Sequence, residues 1–266
     1  TLPGLTPGAY RAIVRADIFN QVNEGGGALE RNNTTASTTA LVTDVPQLLL
    51  GAPQTLSLSP GEERVYRVTV PTGETLRVRL TSADQNGANE LFLRYSEVPT
   101  GTQYDAAYDR PLEANQTAII PTTTPGSYFI LVRGQTSSSV TLLADLMPFQ
   151  IIHVSPDHGG DSGFVTTTIV GAQFSPQAIV KLVRPGLAEL SPARYEVIDA
   201  TQIVAVWDLR GAQHGLYDVK VVNPSGQAAI LPYRFLVERG LEPDIAIGLG
   251  GARVIDVLRG DLSLRR

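Results

Sequence analysis

The 266-residue sequence contains no cysteine. Disulfides, thiolate metal centres and cysteine nucleophiles are therefore excluded. Histidine is scarce at three residues, which leaves little for a histidine-based metal centre. Aromatic residues make up 6% of the chain and charged residues 18%, and no run of Lys or Arg occurs. With a net charge of −5 and a pI near 5.2, the chain lacks the basic cluster that neutralises phosphates. Nucleic acid and anionic membrane surfaces are excluded as partners. Long apolar runs are missing too: the stretch 41–50 is too short and too polar to cross a bilayer, so no membrane insertion is expected. The opening Thr1-Leu2-Pro3-Gly4 has neither an initiator Met nor a signal-peptide pattern, and the chain reads as a piece of a longer polypeptide. Almost no segment carries an apolar stripe at helical spacing.

What is present is punctuation. Glycine (25) and proline (18) are plentiful, and Pro-Gly, Asn-Gly and Asn-Pro corners close a series of short alternating runs. Leu76, Val78 and Leu80 fall on one side of such a run, with Thr75, Arg77, Arg79 and Thr81 on the other. The same period of two recurs in Tyr66-Val68-Val70, Tyr128-Ile130-Val132, Val165-Thr167-Ile169 and Tyr217-Val219-Val221. A period of two buries one side-chain set and wets the other, the mark of a half-buried antiparallel strand. The expected fold class is all-β, as tandem β-sandwiches. A hydrophobic content of 42% is enough to fill their cores.

Four stretches follow in order. Residues 1–45 contain Pro7-Gly8-Ala9-Tyr10, then Asp17, Asn20, Val22 and Glu24, then Glu30-Arg31-Asn32-Asn33. This string resembles the C-terminal end of CARDB domains, the cell-adhesion-related domains of bacteria, which implies the closing strands of an Ig-like sandwich. Residues 46–147 carry Gly61-Glu62 followed by Tyr66, Val68, Val70-Pro71 and Gly73, then Leu91-Phe92-Leu93-Arg94-Tyr95 and Pro125-Gly126-Ser127-Tyr128-Phe129-Ile130-Leu131-Val132. This unit resembles the bacterial pre-peptidase C-terminal (PPC) domain. That resemblance implies a jelly-roll-type sandwich, secretion and a non-catalytic accessory role. Residues 148–238 carry Ile152-His153-Val154-Ser155-Pro156-Asp157-His158-Gly159, then Thr168-Ile169-Val170-Gly171-Ala172-Gln173-Phe174, then Gly215-Leu216-Tyr217-Asp218-Val219-Lys220-Val221-Val222-Asn223-Pro224-Ser225-Gly226. These blocks resemble the IPT/TIG Ig-like domain, with Asn-Pro-Ser-Gly as a tight hairpin between buried strands. Residues 239–266 read as a linker and the first strands of a following β domain, with candidate strands at 244–247 and 253–258 about a turn at 248–251.

Motifs suggestive of chemistry are few. Gly160-Asp161-Ser162-Gly163 matches the nucleophile loop of trypsin-like proteases as a string. However, that chemistry needs a His base oriented by a buried Asp, and His153 and His158 share the loop of Ser162 while His214 sits in a Gly-rich turn. Gly248-Leu249-Gly250-Gly251 lacks the small residue that a dinucleotide loop needs at Arg253. No catalytic residue and no organic cofactor is expected. Calcium is the one metal to weigh. Asp84, Asn86, Asn89 and Glu90 gather oxygen donors in a Gly-containing loop, the hard-ligand type that Ca²⁺ takes; the alternative is an exposed turn. Asp17, Glu24 and Glu30 form a second acidic loop of the same kind. Tyr95, Tyr104 and Tyr108, interleaved with Asp105 and Asp109, offer a face for stacking on sugar or peptide, or else strand-covering core residues.

The function expected from these observations is a non-catalytic structural or adhesive segment of a large extracellular bacterial surface or filament protein. Its partners would be neighbouring domains or copies of itself, joined by strand complementation, or a cell-surface polysaccharide or protein. The alternative is an accessory substrate-binding or secretion region of a secreted peptidase or hydrolase.

Overall fold

In the computed structural model, which describes residues 8–19, 21–22 and 33–240, every regular element is a β-strand. The expected strands at 244–247 and 253–258, the turn between them, and Glu24 and Glu30 of the second acidic loop lie outside the described residues.

The first unit consists of β1 (Gly8–Tyr10), β2 (Ile13–Arg15), β3 (Thr34–Ala36) and β4 (Leu41–Thr43). β1 pairs with β4 and β2 with β3, both antiparallel. Ile13, Val14, Leu41 and Val42 are 69%, 63%, 55% and 73% exposed, so no second layer covers these ladders among the described residues.

The second unit runs through β5 (Gln54–Leu58), β6 (Glu63–Val70), β7 (Thr75–Ser82), β8 (Asn89–Tyr95), β9 (Ala106–Ala107), β10 (Gln116–Ile120), β11 (Gly126–Gly134) and β12 (Ser138–Met147). Two four-stranded sheets form, in the orders β10-β7-β12-β5 and β6-β11-β8-β9. The period-two sets meet between them. Leu76, Val78 and Leu80 of β7 pack with Val68, Val70, Leu91, Leu93, Ile130, Val132 and Leu142 in one buried cluster. On the outer face of the first sheet, Arg77 sits opposite Asp145 on β12 and forms an ion pair with it, bonding through Nε at 3.1 Å. That cross-strand charge pair fixes register as well as adding a little stability.

The third unit comprises β13 (Gln150–Ser155), β14 (His158–Gly160), β15 (Phe164–Ala172), β16 (Ile179–Val183), β17 (Arg194–Asp199), β18 (Gln202–Asp208), β19 (Gly215–Val222) and β20 (Ala228–Glu238). Its sheets have the orders β13-β15-β18-β17 and β14-β20-β19-β16. β13 lies in one sheet and β14 in the other, so the opening stretch of this sandwich crosses from sheet to sheet around Pro156, which has no N–H to give a ladder. β14 then pairs in parallel with β20, the last strand. Asn223-Pro224-Ser225-Gly226 closes the β19–β20 hairpin: Gly226 N–H donates to the Asn223 carbonyl at 2.8 Å, and Gly226 takes φ 84°, a conformation easy for glycine. Trp207, Tyr217 and Phe235 are buried at the centre, with the Trp207 and Phe235 rings 6.4 Å apart.

Candidate functional site

The structure distributes the calcium candidates rather than gathering them. Asp84 Oδ1 accepts the Asn86 N–H at 2.9 Å, closing a local turn. Asn89 and Glu90 are consecutive on β8 and so face opposite ways. Asn89 is buried and its Nδ2 donates to the Ala114 carbonyl at 2.8 Å, while Glu90 accepts from Arg133 Nη1 at 2.7 Å. Asp17 binds its own loop, accepting N–H groups from Gln21 at 2.6 Å and Val22 at 3.0 Å. Among the described residues, no group of three or more His, Asp or Glu side chains is placed to hold a metal ion.

The three tyrosines do not form one platform. Tyr95 packs inward on Tyr128 with ring centres 5.2 Å apart, and its hydroxyl donates to the Pro125 carbonyl at 3.0 Å. Tyr104 lies against Phe92 at 5.3 Å, and Tyr108 meets the same ring edge-on at 5.4 Å. Tyr95 and Tyr108 pack against the core, whereas Tyr104 stays 46% exposed.

In the Gly160-Asp161-Ser162-Gly163 string, the carboxylate takes the histidine. Asp161 Oδ2 lies 2.6 Å from His214 Nε2, and Oδ1 accepts the Gly240 N–H at 2.7 Å. These bonds, that from Gly240 first, hold the Asp161 carboxyl below its ordinary pKa. Among the described residues, no hydrogen bond joins Ser162 to a histidine. The arrangement ties the end of β20 to the loop after β14.

Two features that the sequence did not single out are better built. The first is the seam between the second and third units. Only Pro148 and Phe149 separate β12 from β13. Gln173, just past β15, has a left-handed backbone (φ 57°). From there its N–H donates to Thr75 Oγ1 at 3.1 Å, and its Nε2 donates to Glu74 Oε2 at 2.6 Å and to the Met147 carbonyl at 2.8 Å. Its own carbonyl accepts from Asn223 Nδ2 at 2.9 Å. One residue thereby bonds β7 and β12 of one sandwich while anchored to the β19–β20 corner of the other. Phe149 packs edge-on against Phe174 beneath it, 6.3 Å between ring centres. Backbones crowd here: a Cβ at Gly171 would overlap the Gln150 carbonyl oxygen and the Phe174 ring.

The second is the outer face of the sheet β14-β20-β19-β16. At the β16 end, both lysines of the chain, Lys181 and Lys220, converge on Glu189, and together they lower its pKa. Towards β14, the ladder is irregular. Val219 pairs with Leu231 and Tyr217 with Phe235, so β20 carries two extra residues across this bulge. Tyr233 sits there at φ 53° and is 69% exposed, its N–H donating to Asp218 Oδ1 at 2.8 Å. Beside it opens a shallow depression of about 410 Å³ lined by Asp157, His158, Leu216, Tyr233, Arg234, Leu236 and Glu238. His158 Nδ1 lies 3.0 Å from Asp157 Oδ1, and this bond raises the imidazole pKa and lowers that of the carboxyl.

No family model matches the sequence, and no curated protein does. Among solved structures, the chain is similar to the pre-peptidase C-terminal domain of a collagenase from Bacillus anthracis, at 15% identity and a TM-score of 0.33, over 38% of this chain and 94% of that one. It is similar to PliG, a periplasmic inhibitor of g-type lysozyme from Aeromonas hydrophila, at 14% identity and a TM-score of 0.30, over 38% of this chain and 96% of that one. The adhesin domain of Epf from Streptococcus pyogenes aligns with 71% of this chain and 79% of that one, at 9% identity and a TM-score of 0.25. Scores this low leave the reading to the chain's own geometry.

One signal for Tyr233 is present in the sequence. Pro232 interrupts an alternating run, and proline inside a strand marks an edge or a bulge. Gln173 has no such flag.

Proposed function

We propose that the chain is a non-catalytic spacer and contact segment of a larger extracellular bacterial protein, in which serial β-sandwiches hold binding surfaces at fixed separations. The observation that carries this reading is the Gln173 seam. Sandwiches on a flexible tether tumble independently, whereas here two linker residues and a multiply bonded glutamine join them. Carboxylates that hydrolytic chemistry could use are tied to cations, Glu90 with Arg133 and Glu189 with two lysines, and among the described residues no hydrogen bond joins Ser162 to a histidine. The PPC-like and IPT/TIG-like strings support an accessory role and secretion. The test is ¹⁵N relaxation on the intact chain. The second and third units should share one rotational correlation time, and Gln173→Gly, which keeps the left-handed backbone but removes the side-chain bonds, should make their times diverge. Separate tumbling in the unaltered protein would overturn the spacer reading.

The uncovered ladders of the first unit favour a partner built of strands. Ile13, Val14, Leu41 and Val42 present apolar surface of the kind that an added strand or sheet covers, and neighbouring domains or copies of the chain are the proposed source. Sedimentation should show association that weakens in Val14→Lys. A monomer at every concentration would remove the second copy as partner. Calcium at Asp84 and Asn86 stands as a lesser proposal; calorimetry without a calcium heat would end it.

A further inference from the structure

The depression beside Tyr233 combines three features. Its floor is aliphatic, from Leu216 and Leu236. A largely exposed aromatic ring stands at its side, on a backbone conformation that non-glycine residues seldom adopt. Its rim mixes signs: Asp157 and Glu238 supply acceptors, and Arg234 supplies donors beside the His158 imidazole. Most arginines between residues 60 and 135 are paired with carboxylates, as in Arg77 with Asp145 and Arg133 with Glu63 and Glu90. Here, among the described residues, the Arg234 guanidinium, the Glu238 carboxylate and the Tyr233 hydroxyl make no hydrogen bond. Arg234 and Glu238 act on Asp157 and His158 through space only, so the site offers open hydrogen-bonding capacity beside an apolar lining.

A ligand of one charge would meet like charge on part of this rim. An apolar ligand would leave the rim groups without partners, which is unfavourable wherever they are desolvated. A pyranose ring meets both demands. Each hydroxyl donates and accepts, and its C–H face stacks on an aromatic ring. The volume of about 410 Å³ lies within the range that small-ligand sites occupy, roughly 300–1,000 Å³. We propose that this depression binds a neutral saccharide, with Tyr233 as the stacking residue and Arg234, Glu238 and the Asp157–His158 pair as hydroxyl partners. This deepens the contact role proposed above. Its test is separate, because tumbling reports on the spacer and ligand-induced shifts report on this site.

The experiment uses the full chain, isotopically labelled and followed by NMR during titration with maltose, cellobiose, lactose and N,N′-diacetylchitobiose, with glucuronate as the charged comparison. A shallow open site implies weak affinity, on the order of 1 mM. The expected result is saturable shifts confined to the seven lining residues and their neighbours with at least one neutral probe. Tyr233→Gly removes the ring while suiting the left-handed backbone, so its melting temperature should be unchanged or higher, and its affinity should fall about tenfold or more. Arg234→Ala should weaken the same probe. Absence of saturable shifts with all four neutral sugars, equal affinity in Tyr233→Gly, or tighter binding of glucuronate than of any neutral probe would overturn the proposal.

Discussion

Asp208 shows how single side chains set the response of this fold to acid. Its carboxyl is bonded by the Arg210 guanidinium two residues on, at 2.9 and 2.7 Å, which lowers its pKa from 3.8 to about 2. A carboxyl depressed in the folded state adds stability that is present above the unfolded value of 3.8 and is lost as pH falls through about 2. Asp161 and Glu189 are lowered too and act with the same sign. His158 acts with the opposite one: its raised pKa contributes below the ordinary imidazole value of 6.5 and is lost as pH climbs through the folded value. Asp208 is solvent-accessible, so the effect is modest and screened by salt. Urea midpoints measured from pH 5 downwards should fall towards pH 2, and Arg210→Ala should flatten that fall. An identical slope in the variant would show that the pair contributes nothing. Arg210 also lies over the Phe164 ring at 4.9 Å, so a small loss at neutral pH is expected as well.

At the scale of strands, burial separates the two kinds of β-ladder. Leu76 on β7 is wholly buried between two sheets, and Leu76→Ala should cost about 2–5 kcal/mol in denaturant unfolding. Ile13 on β2 is exposed in the single chain, and at dilutions where the chain is monomeric Ile13→Ala should change stability by no more than about 0.5 kcal/mol. A cost for Ile13 in the monomer as large as that for Leu76 would mean that another part of the same chain covers its ladder. Strand identity and facing were legible in the sequence wherever alternation ran unbroken, as in Leu76-Val78-Leu80 and Tyr217-Val219-Val221, because side chains in a pleated strand alternate by geometry alone. Tyr233 defeats that rule. It has the same parity as the buried Ala229, Phe235 and Val237, and only the two extra residues of the bulge turn it outward. Tyr95, Tyr104 and Tyr108 are close in sequence but do not share one face, because Tyr95 turns onto Tyr128 while the stretch after β8 folds Tyr104 and Tyr108 back onto Phe92. Gln173 was illegible for a different reason: its partners Thr75 and Glu74 lie 98 and 99 positions away, and no local pattern encodes such a meeting.

At the scale of the whole molecule, the second strand of the third sandwich lies beside its last. β14 and β20 run side by side in parallel, through His158 with Leu236, Gly159 with Val237 and Gly160 with Glu238. Tension entering ahead of β14 and leaving after β20 drags the two strands past each other, whereas the antiparallel β19–β20 hairpin, seized at its open end, parts one rung at a time. Single-molecule pulling through positions near 156 and 240 should therefore need more force than pulling that hairpin apart. Equal forces would show that the parallel contact bears no load. A tug through these two strands meets its resistance in three residue pairs strained at once, a seam that holds or gives way as a whole.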